Sequence, residues 1–188
     1  QSAVAERTAG LIALQRGDDA IAFRHFQRAS EFDPNDTTAR LNTGTVLLQA
    51  GVYDRATNEL RAVVQAEPDN TLAELTLAAA IRGKAKRDDM GAYAESEKLL
   101  LGVLEREPKN LAATFNLAVL YADFLKRPAD ADKLFRRFLS DAPDRHPARA
   151  EAERFLSASQ GAAKEAPAAP KPAAAKPAAA KPAPVKKK

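Results

Sequence analysis

Four residues recur 34 positions apart in this chain: Gly10 and Gly44, Gly17 and Gly51, Ala22 and Ala56, Pro34 and Pro68. A fixed period of that length means a repeat architecture. Each unit is one supersecondary element that cannot bury its apolar face alone and must stack on its neighbours. Glycine inside a helix costs about 1 kcal/mol against alanine, so Gly10 and Gly44, midway along a first helix, imply close approach of a second. Gly17 and Gly51 suit the left-handed residue that ends a helix. Asp18 and Asp54 fall near the next helix start, where a negative side chain meets the positive dipole end. Ala22 and Ala56 are small for the same contact seen from the second helix. Pro34 and Pro68 stop each unit, with Asn35 or Asp69-Asn70 supplying the turn.

The spacing Gly-x6-Gly-x4-Ala-x11-Pro is carried by AGLIALQRGDDAIAFRHFQRASEFDPN and TGTVLLQAGVYDRATNELRAVVQAEPDN. It resembles the tetratricopeptide repeat (TPR), a helix–turn–helix unit. The resemblance implies an all-α superhelical solenoid of about four repeats, at 3–36, 37–70, 71–110 and 111–144. The third copy keeps two apolar helices (Leu72, Leu75, Leu77, Ala78, Ile81; Leu99, Leu100, Val103, Leu104) but carries about six extra residues around 82–91. The fourth has Ala118 in place of glycine, Ala131 in its second helix, and Pro128 in that helix's first turn, where the missing donor is harmless. Ala148, Ala152, Phe155 and Leu156 form one apolar stripe and predict a capping helix over 147–159. No such cap precedes the first unit, so its outer face is a candidate for self-association.

The segment 160–188 is different material. It holds half of the chain's 12 prolines, no aromatic residue, seven Lys and one Glu. It cannot bury enough apolar surface to offset its ordering entropy, so we expect a disordered tail. Its charge of +6 against +4 for the whole chain leaves about −2 for the rest, so the basic character belongs to the tail. Lys171, Lys176, Lys181, Lys186, Lys187 and Lys188 are held apart by proline and suit loose contact with a polyanion: nucleic acid, anionic lipid or an acidic envelope polymer. The other reading of this tail is a solubilising spacer.

In the TPR family the first helices line a concave groove. Transferred to this chain, that geometry names Arg7, Leu11, Leu41, Asn42, Thr45, Leu72, Leu75, Phe115, Asn116 and Val119 as partner-binding residues, with Leu14, Thr38, Leu48, Ala79, Arg82 and Asp123 beside them. Arg7, Leu41, Leu75 and Phe115 share one place in the four units, and the row implies an apolar strip for an extended segment or amphipathic helix. Asn42 and Asn116 share another, where the family's asparagine often bonds a peptide main chain. The family's carboxylate clamp is not matched, because Leu11, Leu72 and Thr76 stand where Asn, Lys and Arg are required. Arg82, Lys84, Lys86 and Arg87 in the insertion fall in a loop or helix extension and read as a solvated segment, with contact to an acidic partner as the alternative.

Catalysis finds no support. Cysteine is absent, excluding disulfides and thiol chemistry. The two histidines, His25 and His146, have neither metal-binding spacing nor a triad around them. No cofactor, metal or small-molecule substrate is expected, and no apolar run reaches the ~18 residues of a membrane span. The Gln-Ser start, the lack of cysteine and the Ala/Lys/Pro tail point to an exported bacterial protein, in the periplasm or cell envelope after signal removal, with the cytoplasm as the alternative. The expected function is a non-enzymatic scaffold or adaptor within an envelope assembly of pilus, secretion or motility type. The alternatives are a tail-tethered protein and a self-assembling scaffold.

Overall fold

The structure, a computed structural model, describes residues 2–165. The expected disordered tail and its six named lysines therefore fall outside the described residues, save for 160–165. Nine α-helices, and no strand, run through the described residues: α1 Ala3–Gln15, α2 Asp19–Phe32, α3 Thr37–Gln49, α4 Tyr53–Ala66, α5 Thr71–Lys84, α6 Met90–Arg106, α7 Leu111–Val119, α8 Pro128–Asp141 and α9 Arg149–Glu165. A π-helical turn, Leu120–Phe124, continues α7. Each odd helix packs against the even helix after it, and each even helix packs on the odd helix of the next unit.

The second, third and fourth units start from the same kind of cap. Two residues after the prolines stand Asp36, Asn70 and Asn110, whose side chains accept the backbone N–H of Ala39, Ala73 and Ala113 at 2.9, 3.0 and 2.8 Å. Such a cap is worth about 1 kcal/mol. Asn35 is not the cap; its own N–H is tied to the Asp33 carboxylate at 3.0 Å. A second device links units. Glu67 accepts from the Thr37 hydroxyl at the head of α3 and from the Asn70 amide, and Glu107 does the same with Thr71 and Asn110. These bonds hold both carboxyls below the usual glutamate range.

The core repeats with the caps. Eight residues before each proline stand Phe26, Leu60, Leu100 and Phe135, all buried. They cross the odd helix at Gly10, Gly44, Ala78 and Ala118. A Cβ on Gly10 would lie 2.5 Å from the Phe26 ring, and one on Gly44 2.6 Å from Leu60, so these two contacts need the missing side chain. In the third unit the small position of the second helix is Ser96, buried, with its hydroxyl donating to the Ala78 carbonyl at 3.0 Å.

The irregular units absorb their extra residues locally. In the third, the surplus divides among α5, the turn at 85–89 and a longer α6 of 17 residues, so the insertion at 82–91 is half helix extension and half turn. Lys84 pairs with Asp54 at 2.7 Å, while Lys86 and Arg87 lie in the turn that follows. The fourth unit's one surplus residue is taken up by the π turn, whose Leu125 N–H returns to the Leu120 carbonyl five residues back. Lys126 then takes the left-handed backbone (φ 54°) that Gly17 and Gly51 supply at φ 77° and 72°.

The last helix starts later and runs longer than the sequence suggests, from Arg149 to Glu165 rather than 147–159. The Arg149 guanidinium anchors its entry by donating to the carbonyls of Leu139 and Ala142, both at 2.8 Å. Ala152 and Leu156 are buried on α8, as the corresponding residues of earlier odd helices are on α2, α4 and α6. Ten residues after Pro143, where earlier odd helices have glycine or alanine, stands exposed Glu153. Among the described residues α9 is the last helix of the stack.

Candidate functional site

The odd helices touch one another, α3 against α5 and α5 against α7, and so form the inner wall of the stack. Residues on this wall fall in rows, because each unit presents the same helical positions. One row is Val4, Thr38, Leu72 and Ala112, on the wall surface, with Leu72 59% exposed. The next is Leu11, Thr45, Ala79 and Val119, exposed or half-buried, and it continues onto α9 at Arg154.

The row predicted to matter most is placed differently. Arg7 donates to the Asp36 carboxylate at 2.6 Å and so braces the cap of α3. Leu41 is half-buried against the cluster of Leu47, Leu60 and Ile81. Leu75 and Phe115 pack on the C-terminal core, with the Phe115 ring 5.7 Å from Phe135 and 5.1 Å from Phe138. These side chains join units together and show only an edge to the groove. Asn42 and Asn116 each donate to the carbonyl four residues back at 2.9 Å, and the Thr45 hydroxyl does the same at 2.8 Å. Neither asparagine's amide oxygen accepts a hydrogen bond among the described residues.

The structure adds a feature at the C-terminal end of the wall. Val119, Ala122, Asp123, Phe135, Glu151, Arg154 and Phe155 line a concavity of about 370 Å³ between the α7 π turn and α9. Its floor is the Phe135–Phe155 pair, with ring centroids 4.6 Å apart. Beside it, the Arg82 guanidinium lies 5.7 Å over the Phe124 ring. Arg82 makes no hydrogen bond and no ion pair within the described residues. Burial pulls its pKa down, and the carboxylates of Asp123 and Glu151 pull it back up without touching it. A half-desolvated guanidinium with open donors beside an apolar floor is fit to hold a carbonyl or carboxylate next to an apolar side chain. Val119 was legible as a groove residue. Glu151, Arg154 and Phe155 were not, since α9 read only as a cap; the signal was its register, because counted from Pro143 it repeats the odd helices.

The histidines serve the fold. His25 pairs with Glu6 at 2.8 Å, lowering the Glu6 carboxyl, and His146 Nδ1 accepts the Ala148 N–H at 3.2 Å. Among the described residues no group of three or more His, Cys, Asp or Glu is placed to hold a metal, and no helix is long and apolar enough to cross a membrane.

Helix pairs stacked with a common register, an inner wall of first helices and a terminal half-unit define an α-helical repeat solenoid. The fold is that of tetratricopeptide-repeat proteins, and the sequence model described as Tetratricopeptide repeat matches residues 112–145. That match covers the fourth unit, the one that replaces glycine by Ala118 and Lys126. Solved TPR structures superpose on nearly the whole fold. The thermophilic TPR protein TTC0263 of Thermus thermophilus has a TM-score of 0.72 at 18% identity, covering 85% of this chain and 84% of that one. MamA from Desulfovibrio magneticus RS-1 has 0.71 at 18% identity, covering 87% and 86%. A chain of the APC/C hetero-tetramer Cut9–Hcn1 has 0.71 at 16% identity, with 84% of this chain matching 30% of that one. At such identities the likeness is one of fold. No curated protein matches the chain in sequence.

Proposed function

We propose that this chain is a non-catalytic protein-binding scaffold that holds a partner segment in its concave groove, with the anchor at the α7–α9 end. The observation that carries this reading is Arg82, half-buried and without a partner among the described residues, beside the apolar floor of Phe135 and Phe155. A segment presenting an acceptor next to an apolar side chain satisfies both, and the exposed rows through Leu72 and Leu11 extend the contact toward the N-terminal units. The setting we assign is a bacterial envelope assembly of pilus, secretion or motility type, on the chain's lack of cysteine and its Lys/Pro-rich end.

The test is affinity capture from native extract with the full chain and with Leu72→Glu/Val119→Glu, both checked for equal helicity by circular dichroism. These residues sit on the wall surface, so charge there blocks docking while leaving the core intact. Loss of one captured protein, by about tenfold or more (~1.4 kcal/mol), is expected. An unchanged catch sinks the groove. Capture that follows deletion of 166–188 instead shifts the reading to a polyanion tether.

A further inference from the structure

The outer face carries one slot three times, and the third copy differs from the other two. Each slot lies between successive even helices with an odd helix as floor. Between α2 and α4 it is polar: Gln27, Ser30 and Glu31 face Arg55 and Glu59 across Thr43. Between α4 and α6 the Arg61 guanidinium bonds both oxygens of Glu95, at 2.7 and 2.8 Å, across it. Between α6 and α8 the same positions, counted from the prolines, are Leu101, Leu104, Leu117 and Leu134. Leu101 stands where Arg61 stands, so the bridge that spans the middle slot has no equivalent. What remains is an open apolar trough of about 410 Å³, with Leu101 40% exposed at its lip.

One end of the trough is shut. The Tyr121 hydroxyl donates to Glu97 at 2.6 Å, Arg127 reaches Glu97 at 2.9 Å and Asp130 at 2.8 Å, and its guanidinium lies 4.1 Å over the Tyr121 ring. The other end is open and its two walls carry opposite charge. On α6 stands exposed Glu105, which makes no ion pair among the described residues. On α8 stand Lys133, 3.6 Å from Asp130, and Arg137, whose only carboxylate contact among the described residues is Asp141 at 3.9 Å. The positions of the four trough leucines hold Gln27, Ser30, Thr43 and Glu59 in the α2–α4 slot and Arg61, Val64, Leu77 and Leu99 in the α4–α6 slot, so only the third slot is apolar at its exposed lip, a surface that water covers poorly.

We infer that this trough binds a second copy of the chain, related by a twofold axis running along the slot. An acidic wall beside a basic wall is what such an axis requires. It lays α6 of one copy over α8 of the other, so Glu105 meets Arg137 of the partner subunit, and each Leu101 enters the opposite trough. A twofold across the slot, by contrast, sets like wall on like wall. The inference is independent of the groove reading, since it uses the opposite face of the solenoid.

The experiment is sedimentation equilibrium of the full chain from low micromolar to several hundred micromolar. The intact chain should pass from monomer to dimer, and Leu101→Glu should remain monomeric. Glu105→Arg and Arg137→Glu should each weaken the dimer, and the two together should restore it, which no unfolding can mimic. Ile12→Glu, on the open face of α1, should leave the dimer intact. The inference is overturned if the intact chain stays monomeric, if the dimer survives Leu101→Glu, or if Ile12→Glu abolishes it.

Discussion

Lys126 holds a backbone that an L-residue enters at a cost of about 1–2 kcal/mol, at the turn where the first two units place Gly17 and Gly51. Its side chain recovers little, donating from an exposed position to the Asp123 carbonyl at 2.7 Å. Lys126→Gly should therefore stabilise the protein by about 1 kcal/mol, read as a higher midpoint in chemical denaturation. The glycine turns of the first two units were legible because the spacing repeats there. Lys126 was not, since nothing local distinguishes a strained lysine from an ordinary exposed one. The same limit applied to Phe115. Its position in the repeat marked it as a groove residue, but its ring packs between Phe135 and Phe138. Phe115→Glu should then collapse the C-terminal units, beyond the ~3–5 kcal/mol of a Phe→Ala truncation, while Leu72→Glu should leave the melting curve nearly unchanged. Circular dichroism melts of the two variants decide between core and groove.

Helices here are joined through their ends as well as their faces. Glu67 and Glu107 each bind the first residue of one odd helix and the capping Asn of the next, which ties consecutive units at the same level. Their folded-state pKa values are depressed by these hydrogen bonds, so they bind protons less readily than in the unfolded chain. The stability they confer is fully present above about pH 4.5, the ordinary value, and is lost as pH falls through the folded values. Melting temperature should drop on acidification in that window, and Glu67→Gln/Glu107→Gln should flatten the drop. The π turn is another device at this scale. It accepts one surplus residue inside α7 without displacing the cap of α7 or the entry to α8. Sequence showed the 35-residue spacing from Pro108 to Pro143 but not where the surplus would sit, because a helix can widen at any turn whose neighbours allow it.

Across the whole molecule, the period determined the architecture from sequence alone. Glycine, alanine and proline act through backbone sterics, which depend on the residue and its near neighbours, so their spacing is readable without coordinates. Register also carried forward, and it shows why α9 continues the odd-helix row. What only the tertiary structure decided is which apolar side chains are spent on joining units and which remain on a surface. Leu41, Leu75 and Phe115 are half-buried between units, while Leu72 and Leu101 of the same residue class are exposed. The trough between α6 and α8 and the concavity beside Arg82 were hidden for that reason. Each is assembled from residues of three helices, and its openness depends on which side chains those helices bring face to face.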